Sequence, residues 1–376
     1  MVSIKTKVHD VETEDNSKQL SMMSKLVNIL IKIRFIPVKN DAKNLKITFK
    51  LCSMVTFTFF VVHFGASFLS YAIYEQIVSS IRDIVTERMM KYNAIDIASI
   101  YAFIFLLYWF PFCPLFLGHA LPSVPTIFRA KDLKWPKHGA KHLAALFLFA
   151  LGQSAIYAGF WSEALKEKNV PEQTAVLLYI LPIALSFGFT SYWVVPALLV
   201  SALMDKFIFL CECRAVGKEL AHAKRCLELY SAFDCGFGLF FFFVFGVSQV
   251  FVIFTLYLTI SGPIESSSSV FGIIIYSSGQ LLASCGLMLN IAGLTFSLDA
   301  GHKSLKGLAN VLQDQLVHVT EGSERQTIKN TIKVIEQTGP LNGKGFFDIT
   351  RGTLTGMVSV GFTYIIILVQ FKMSIT

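Results

Sequence analysis

Seven long stretches without a charged residue constrain the fold of this chain more than any other feature. Each runs for at least 20 residues without Asp, Glu, Lys or Arg and is rich in Phe, Leu, Ile and Val. They cover residues 51–74, 97–128, 142–162, 173–204, 235–264, 266–298 and 352–371. A helix that crosses the hydrocarbon core of a membrane needs about 20 apolar residues. The pattern therefore predicts an all-α, polytopic membrane protein with seven transmembrane helices.

The composition excludes the main alternatives. The chain is 54% hydrophobic and 15% charged, whereas soluble domains average about 25% charged residues. None of the windows alternates polar with apolar residues, as the strands of a membrane barrel would. The net charge of +8 is explained by topology and by contact with anionic membrane lipid. No nucleic-acid partner is therefore expected.

Lysine and arginine indicate the orientation, because they are retained on the cytoplasmic side of membranes. With a cytoplasmic N-terminus, the cytoplasmic segments carry 27 of these residues and the outer segments carry 6. We therefore expect a cytoplasmic N-terminus and, after an odd number of crossings, an extracellular C-terminus.

The segment between the last two windows is expected to be helical as well. It carries apolar residues at helical spacing, namely Leu305, Leu308, Leu312, Leu316 and then Ile328, Ile332, Ile335. Residues 321–324 break the pattern, and Gly339-Pro340 is a common helix ending. The sixth crossing should therefore continue into the cytoplasm, followed by a second helix that stops near Thr338. The apolar faces would be buried against residues 205–234 or against another subunit.

The last window differs from the others because small and weakly polar residues recur on one face. They follow each other at steps of three or four: Gly352, Thr355, Ser359, Thr363, Ile366 and Gln370. One interpretation is close helix packing, which small residues and hydroxyls favour. The other is the wall of a pore, where weakly polar groups pass ions and an apolar ring gates them. A single helix cannot enclose a pore, so this second interpretation requires a symmetric oligomer.

The end of this window carries a short signature. Thr363-Tyr364 is followed by five apolar residues and by Gln370-Phe371, close to the end of the chain. The arrangement resembles the signature of the insect gustatory receptor family. The predicted number of crossings, the inner N-terminus and the long loop before the last helix are similar to that family as well.

The resemblance implies a ligand-gated, nonselective cation channel that detects small tastant molecules and is related to insect odorant receptors. It implies a homo- or heterotetramer with other gustatory receptor subunits, in contact with membrane lipid. The location it implies is the plasma membrane of chemosensory neurons, in cell body, dendrite and axon. The last helix would line the pore, with wall and gate residues Thr355, Ser359, Thr363, Ile366, Gln370 and Phe371. No enzymatic activity, catalytic residue, metal or cofactor is expected.

One position departs from the family pattern. The sugar-receptor subgroup tends to have Glu directly after Thr-Tyr, whereas this chain has Ile365. The resemblance therefore favours a bitter-type or orphan receptor over a conventional sugar receptor.

The resemblance also divides the chain into four segments. Residues 1–46 would form a cytoplasmic N-terminal segment, and 47–298 would form six helices and their loops around a ligand pocket. Residues 299–351 would form a cytoplasmic helical anchor. Residues 352–376 would form the pore-lining helix and a short outer tail.

A pocket open to the exterior would be lined by the outer halves of the second to sixth windows. Aromatic and amide side chains there suit a small molecule, although Trp and Tyr also collect at membrane interfaces whatever the function. Polar and aromatic residues in these outer halves include Asp96, Tyr101, Ser186, Gln249, Tyr276 and Ser277. The candidate ligand-binding residues are Gln153, Tyr157, Trp161, Tyr179, Tyr257 and Gln280.

Two other functions remain as alternatives. An odorant-type receptor subunit would share the architecture. A G-protein-coupled receptor would need an outer N-terminus, and the chain lacks an Asp-Arg-Tyr motif after the third window and an Asn-Pro-x-x-Tyr motif in the last.

Overall fold

The computed structural model describes much of the chain beyond the second predicted crossing and short parts before it. The described residues are 21–33, 35–36, 39–41, 46–48, 112–124, 127, 133–167, 172–213, 217–261, 270–320 and 322–375. The predicted crossing at 51–74 and most of that at 97–128 lie outside these residues, as do Asp96 and Tyr101.

Long helices make up most of the described structure. The helices are α1 Met22–Lys32, α2 Phe112–Ala120, α3 Gly139–Glu167, α4 Glu172–Glu212, α5 Glu219–Ser261, α6 Val270–His318, α7 Gly322–Gln337 and α8 Arg351–Ile375. Within the described ranges, five helices are long and apolar enough to span a membrane, namely α3, α4, α5, α6 and α8. They coincide with the last five charge-free windows and confirm the prediction of helices there.

A short pair of strands was not expected from the sequence. Strand β1, Lys39–Asp41, pairs antiparallel with β2, Lys46–Thr48. The strands have three residues each, too few for an alternating pattern to be visible. The fold class remains all-α, and the strands span the boundary that we expected between residues 46 and 47.

Helix α1 packs against the bundle on one side. Its N-cap residue Ser21 accepts the Ser24 N–H at 3.1 Å, and the Ser24 hydroxyl donates to the Leu133 carbonyl at 3.2 Å. Beyond its end, Phe35 stacks on Tyr192 of α4 with ring centroids 4.9 Å apart. The chain before the first crossing is therefore attached to the segment that precedes α3 and to the middle of α4.

Helix α6 is the centre of the bundle. It has 49 residues, which corresponds to about 74 Å, and it packs against α3, α4, α5, α7 and α8. A membrane core is about 30 Å thick, so α6 extends well beyond any single crossing. The continuous helix confirms the prediction that the sixth crossing runs on past residue 298.

The C-terminal part of α6 packs against α7 of the same chain. Leu305, Leu312, Ile328 and Ile335 are all buried, and α7 also contacts α5. Helix α7 ends at Gln337, as the sequence predicts. The chain itself therefore covers these apolar faces, and no second subunit is needed to bury them.

A polar cluster ties three helices together inside the bundle. His142 of α3 donates from Nδ1 to Asn290 Oδ1 of α6 at 2.6 Å. Its Nε2 accepts the Ser201 hydroxyl of α4 at 2.9 Å. All three residues are fully buried. Since buried polar groups are costly when unpaired, this cluster fixes the rotation of α3, α4 and α6 relative to one another.

Helices α3 and α6 touch backbone to backbone at glycines. A Cβ on Gly152 would lie 2.4 Å from the Ala283 nitrogen and 2.5 Å from the Gly279 oxygen. A Cβ on Gly286 would lie 2.6 Å from the Phe149 nitrogen. No side chain fits at these contacts, so glycine sets the distance between the two helices.

Candidate functional site

Helix α8 begins at a tight turn that sets its direction. Lys344 and Gly345 adopt φ values of 54° and 79°, and these left-handed conformations reverse the chain. At the helix start, the Thr353 hydroxyl accepts the Thr350 N–H at 3.1 Å and donates to the Asp348 carbonyl. The first turn of α8 is therefore joined to the loop before it.

This loop is held against α5. Asp234 Oδ1 accepts the backbone N–H of Asn342 at 2.9 Å, and both Asp234 oxygens accept its side-chain amide at 2.9 and 2.8 Å. Phe347 packs against Phe245 with ring centroids 5.7 Å apart. The entry to α8 is thus joined to α5 by hydrogen bonds and by an aromatic contact.

An ion pair joins the first residue of α8 to α6. Arg351 Nε donates to Asp299 Oδ2 at 2.9 Å, and Lys303 Nζ donates to the same oxygen at 2.8 Å. Phe296 lies beside the pair, 5.3 Å from the Arg351 guanidinium and 5.8 Å from His138. Burial lowers the pKa of His138. The single Asp299 carboxylate is shared by two cations, Arg351 and Lys303.

A second polar contact lies further along α8. Gln249 of α5 donates from Nε2 to the Met357 carbonyl at 2.8 Å. The Gln249 amide is therefore turned towards α8, while its place beside a ligand pocket stays a prediction. Helical spacing identifies a face of α5 but not the helix that covers that face.

The remainder of α8 is largely uncovered by its own chain. Only 11% of its membrane-length window is buried, against 44% for α3. The covered residues form one seam that packs on α5 and α6, and they include Leu354, Met357, Gly361, Ile365 and Leu368. Helix α8 therefore contacts its own bundle along a single narrow face.

The small and polar stripe lies on the opposite face. Its residues Gly352, Thr355, Ser359, Thr363, Ile366 and Gln370 are all exposed. Ser359 and Thr363 each stand two residues from Gly361, which turns them about 160° away from the seam. Packing of this stripe within the described part of the chain is excluded. Packing against another copy and exposure to water both remain compatible with the geometry.

The four signature residues are exposed as well. Thr363, Tyr364, Gln370 and Phe371 all project beyond the seam, whereas Ile365 is 3% exposed within it. The apolar residue that follows Thr-Tyr therefore packs against the chain itself. A carboxylate at that position would have to be buried.

The candidate ligand-binding residues are only partly described. Gln153 and Gln280 are 2% and 1% exposed, and Tyr257 is fully buried in α5. The two glutamines directly follow Gly152 and Gly279, where α3 and α6 touch, and Gln153 Nε2 has no hydrogen-bond partner among the described residues. Their role in ligand binding stays a prediction.

The remaining candidates are the aromatic residues Tyr157, Trp161 and Tyr179. They belong to α3 and α4, but their side chains lie outside the described residues, as do those of Ser186 and Tyr276.

Cavities lie at two different levels of the bundle. One of about 10 Å³ lies among α3, α4 and α6, next to Trp193 and Asn290. Another, of about 780 Å³, lies beside the end of α7 and is lined partly by Glu228, Asp234 and Asp348. This larger cavity is at the end of the bundle opposite to the predicted pocket.

Metal coordination finds no support where side chains are described. No three His, Cys, Asp or Glu side chains in these ranges could hold a metal ion together. Among the histidines in these ranges, His222 donates from Nε2 to the Leu210 carbonyl at 2.9 Å.

These observations define a polytopic α-helical membrane protein with an almost uncovered terminal helix. The sequence profile of the family described as 7tm Chemosensory receptor matches residues 168–375, more than half of the chain. The chain belongs to the 7tm chemosensory receptor family. It is therefore a receptor and not an enzyme. A comparison with curated proteins gives no match.

The fold is similar to that of a solved receptor. The insect olfactory receptor OR5 from Machilis hrabei in complex with eugenol shares 14% identity, with a TM-score of 0.55 over 93% of this chain and 97% of that chain. Another structure of OR5 gives a TM-score of 0.42 at 14% identity, covering 93% and 88%, too low to support a fold assignment. At this identity the likeness concerns the fold alone.

Proposed function

We propose that this receptor is a ligand-gated, nonselective cation channel of the gustatory type, in which α8 helices of four subunits surround the pore. One observation carries the proposal. The membrane-length helix α8 directs its only polar stripe away from the seam that attaches it to its own chain. Polar side chains that face lipid are costly, so a helix on the outside of a bundle is not expected to carry such a stripe. Four such helices around an axis would direct their stripes into a common path.

The chemistry of the stripe suits ion passage. Thr355, Ser359 and Thr363 offer hydroxyls that interact weakly with hydrated cations. Ile366 would add an apolar ring that closes by dewetting. Gln370 and Phe371 would form the outer constriction.

The gustatory assignment depends on the signature at the end of α8. An odorant-type subunit is the second candidate, supported by the similarity in fold to OR5. Ile365 supports a bitter-type or orphan receptor, because a conventional sugar receptor tends to have Glu at this position. Its burial in the seam is also unfavourable for a carboxylate there. The proposed site of action is the plasma membrane of chemosensory neurons, including cell body, dendrite and axon.

The ligand is proposed to be a small organic molecule. OR5 is in complex with eugenol, a compound of that size class. Gln153 and Gln280 would supply hydrogen bonds, with Tyr157, Trp161, Tyr179 and Tyr257 as aromatic walls. Residues 47–298 would contain this pocket, and residues 299–351 would anchor the four subunits.

Whole-cell recording tests the proposed function. Cells that express the receptor, alone or beside a related subunit, are exposed to a panel of sugars and bitter compounds while G-protein signalling is blocked. We expect a cation current that reverses near zero millivolts and is absent from untransfected cells. A response that disappears with the G-protein block, without conductance in reconstituted vesicles, would support a G-protein-coupled receptor instead.

The proposed orientation makes a separate prediction. The excess of Lys and Arg in the proposed cytoplasmic segments requires an outer C-terminus. An epitope tag after Thr376 should therefore bind antibody on intact cells, whereas a tag before Met1 should need permeabilisation. Labelling in the reverse pattern would reject this orientation.

A further inference from the structure

Gln249 makes an unusual contact between α5 and α8. Its Nε2 donates to the Met357 carbonyl at 2.8 Å, although this oxygen also has the helical partner four residues on, the Gly361 N–H. A Cβ on Gly361 would lie 3.4 Å from the same Nε2. Such a Cβ would be in van der Waals contact with the amide, so Gly361 lies directly beside Gln249.

Loss of this hydrogen bond would leave the Gln249 amide unpaired but would not leave the Met357 carbonyl unpaired. The Met357 carbonyl keeps its partner within the helix when Gln249 is absent. The Gln249 amide, in contrast, would lose its partner in an apolar environment, which is costly. The bond therefore favours arrangements in which α5 and α8 lie side by side at this level.

The position of the bond divides α8 into two parts. The Arg351–Asp299 ion pair fixes the base of the helix, and Met357 lies six residues on, about 9 Å along the axis. Further towards Gln370, the covered seam consists of apolar residues and a glycine, including Gly361 and Ile365. This outer part carries the proposed gate.

Helix α5 connects the bundle to α8. It packs against α6, the helix that carries Gln280, and it holds the loop before α8 through Asp234. A shift of α5 would therefore reach α8 both through the loop and through Gln249.

We propose that Gln249 is a positioning residue for the gate, which couples movement of α5 to the pore-lining helix at Met357. This inference rests on the proposed channel function. The outer part of α8 pivots above this contact, while the base stays fixed by Arg351. Glycine at 356 and at 361, on either side of Met357, lowers the cost of bending there.

Substitution of Gln249 tests the coupling. Gln249→Leu keeps the bulk and removes the donor, and Gln249→Asn keeps the amide but shortens its reach. Both should shift the ligand concentration for half-maximal current by about five-fold or more, the lower end of usual coupling between sites. The reversal potential and single-channel conductance should stay as in the wild type, because Gln249 does not line the pore. Val250→Leu, at an exposed neighbour on α5, is the matched control and should change neither.

A cross-linking measurement tests the contact between α5 and α8 separately from its effect on gating. In a background in which the neighbouring native thiols Cys211 and Cys226 are replaced by serine, Gln249→Cys with Gly361→Cys should be bridged by dibromobimane, which becomes fluorescent after reacting with two nearby thiols, whereas each single variant should not. Bridging should also reduce ligand-evoked current.

The outcomes distinguish the inference from the proposed function. Wild-type current with unchanged half-maximal concentrations in both Gln249 variants would overturn the coupling alone, as would bridging without effect on current. Failure of the double variant to bridge would contradict the α5–α8 contact itself. A wild type that passes no current would overturn both the channel and the coupling.

Discussion

Replacing Gly152 by valine is expected to remove the folded receptor from the cell surface. Its Cβ would lie 2.4 and 2.5 Å from main-chain atoms of α6, which cannot rotate away as a side chain can. Removing this clash requires α3 and α6 to separate. Their contact also includes Gly279 and Gly286 of α6, which lie against the backbone of α3. Overpacking a core typically costs about 1–3 kcal/mol, and clashes with a rigid backbone belong at the upper end or beyond. Folded proteins have only about 5–15 kcal/mol to lose.

The measurement is size-exclusion chromatography of a fluorescent fusion, together with surface labelling. Gly246→Val is the matched control, because nothing lies within 4 Å of a Cβ at this glycine of α5. The control should elute as the wild type does, while Gly152→Val should give aggregate or no peak. A wild-type profile for Gly152→Val would show that the α3–α6 contact is not as close as described.

The sequence predicted where long helices lie, because lipid excludes charge over a length that can be counted. It also predicted that the sixth helix extends beyond its charge-free window. Residues 299–318 are polar enough to have left the membrane, yet Leu305, Leu308 and Leu312 continue the helical period. In the structure they belong to the same helix, α6, and are buried.

The sequence could not predict which helix packs against each face of a given helix. Periodicity shows that a helix has two unlike sides, but it does not identify the neighbouring helix. Gln249 illustrates this limit, because its amide binds a backbone carbonyl 108 residues away. The Asp299–Arg351 ion pair and the Gly152–Gly279 contact also join residues that are remote in sequence. Such pairs depend on how whole helices cross.

The candidate site was predicted unevenly for the same reason. The stripe on α8 could be identified because it is a local pattern on one helix, and the structure adds that it faces away from the seam. A ligand pocket draws single residues from several helices, so Gln153 and Gln280 could be selected by residue type and predicted depth alone. Their burial is compatible with a pocket and also with structural roles.

Modification of cysteines along α8 should have the second large effect. Ser359→Cys and Thr363→Cys would place thiols on the stripe, and a cationic methanethiosulfonate applied with ligand should react with them. The attached charge and bulk should reduce current about ten-fold or more, because both would occupy the proposed ion path. Dithiothreitol should restore the current, since it releases the mixed disulfide.

Residues on the seam supply the control. Leu354→Cys and Ile365→Cys face α5 and α6 rather than the proposed path, so their currents should change little on treatment. The wild type must be treated in parallel, because Cys235 and Cys285 are exposed in the described structure. Gln370→Cys should react fastest from outside if the C-terminus is extracellular.

The most direct test of the account is therefore the pattern of reactivity across residues 352–371. We expect block to recur every three or four residues, at Thr355, Ser359, Thr363, Ile366 and Gln370, with protection along the seam between them. Equal reactivity around the helix, or block at seam positions with none on the stripe, would contradict the claim that this face of α8 lines the ion path.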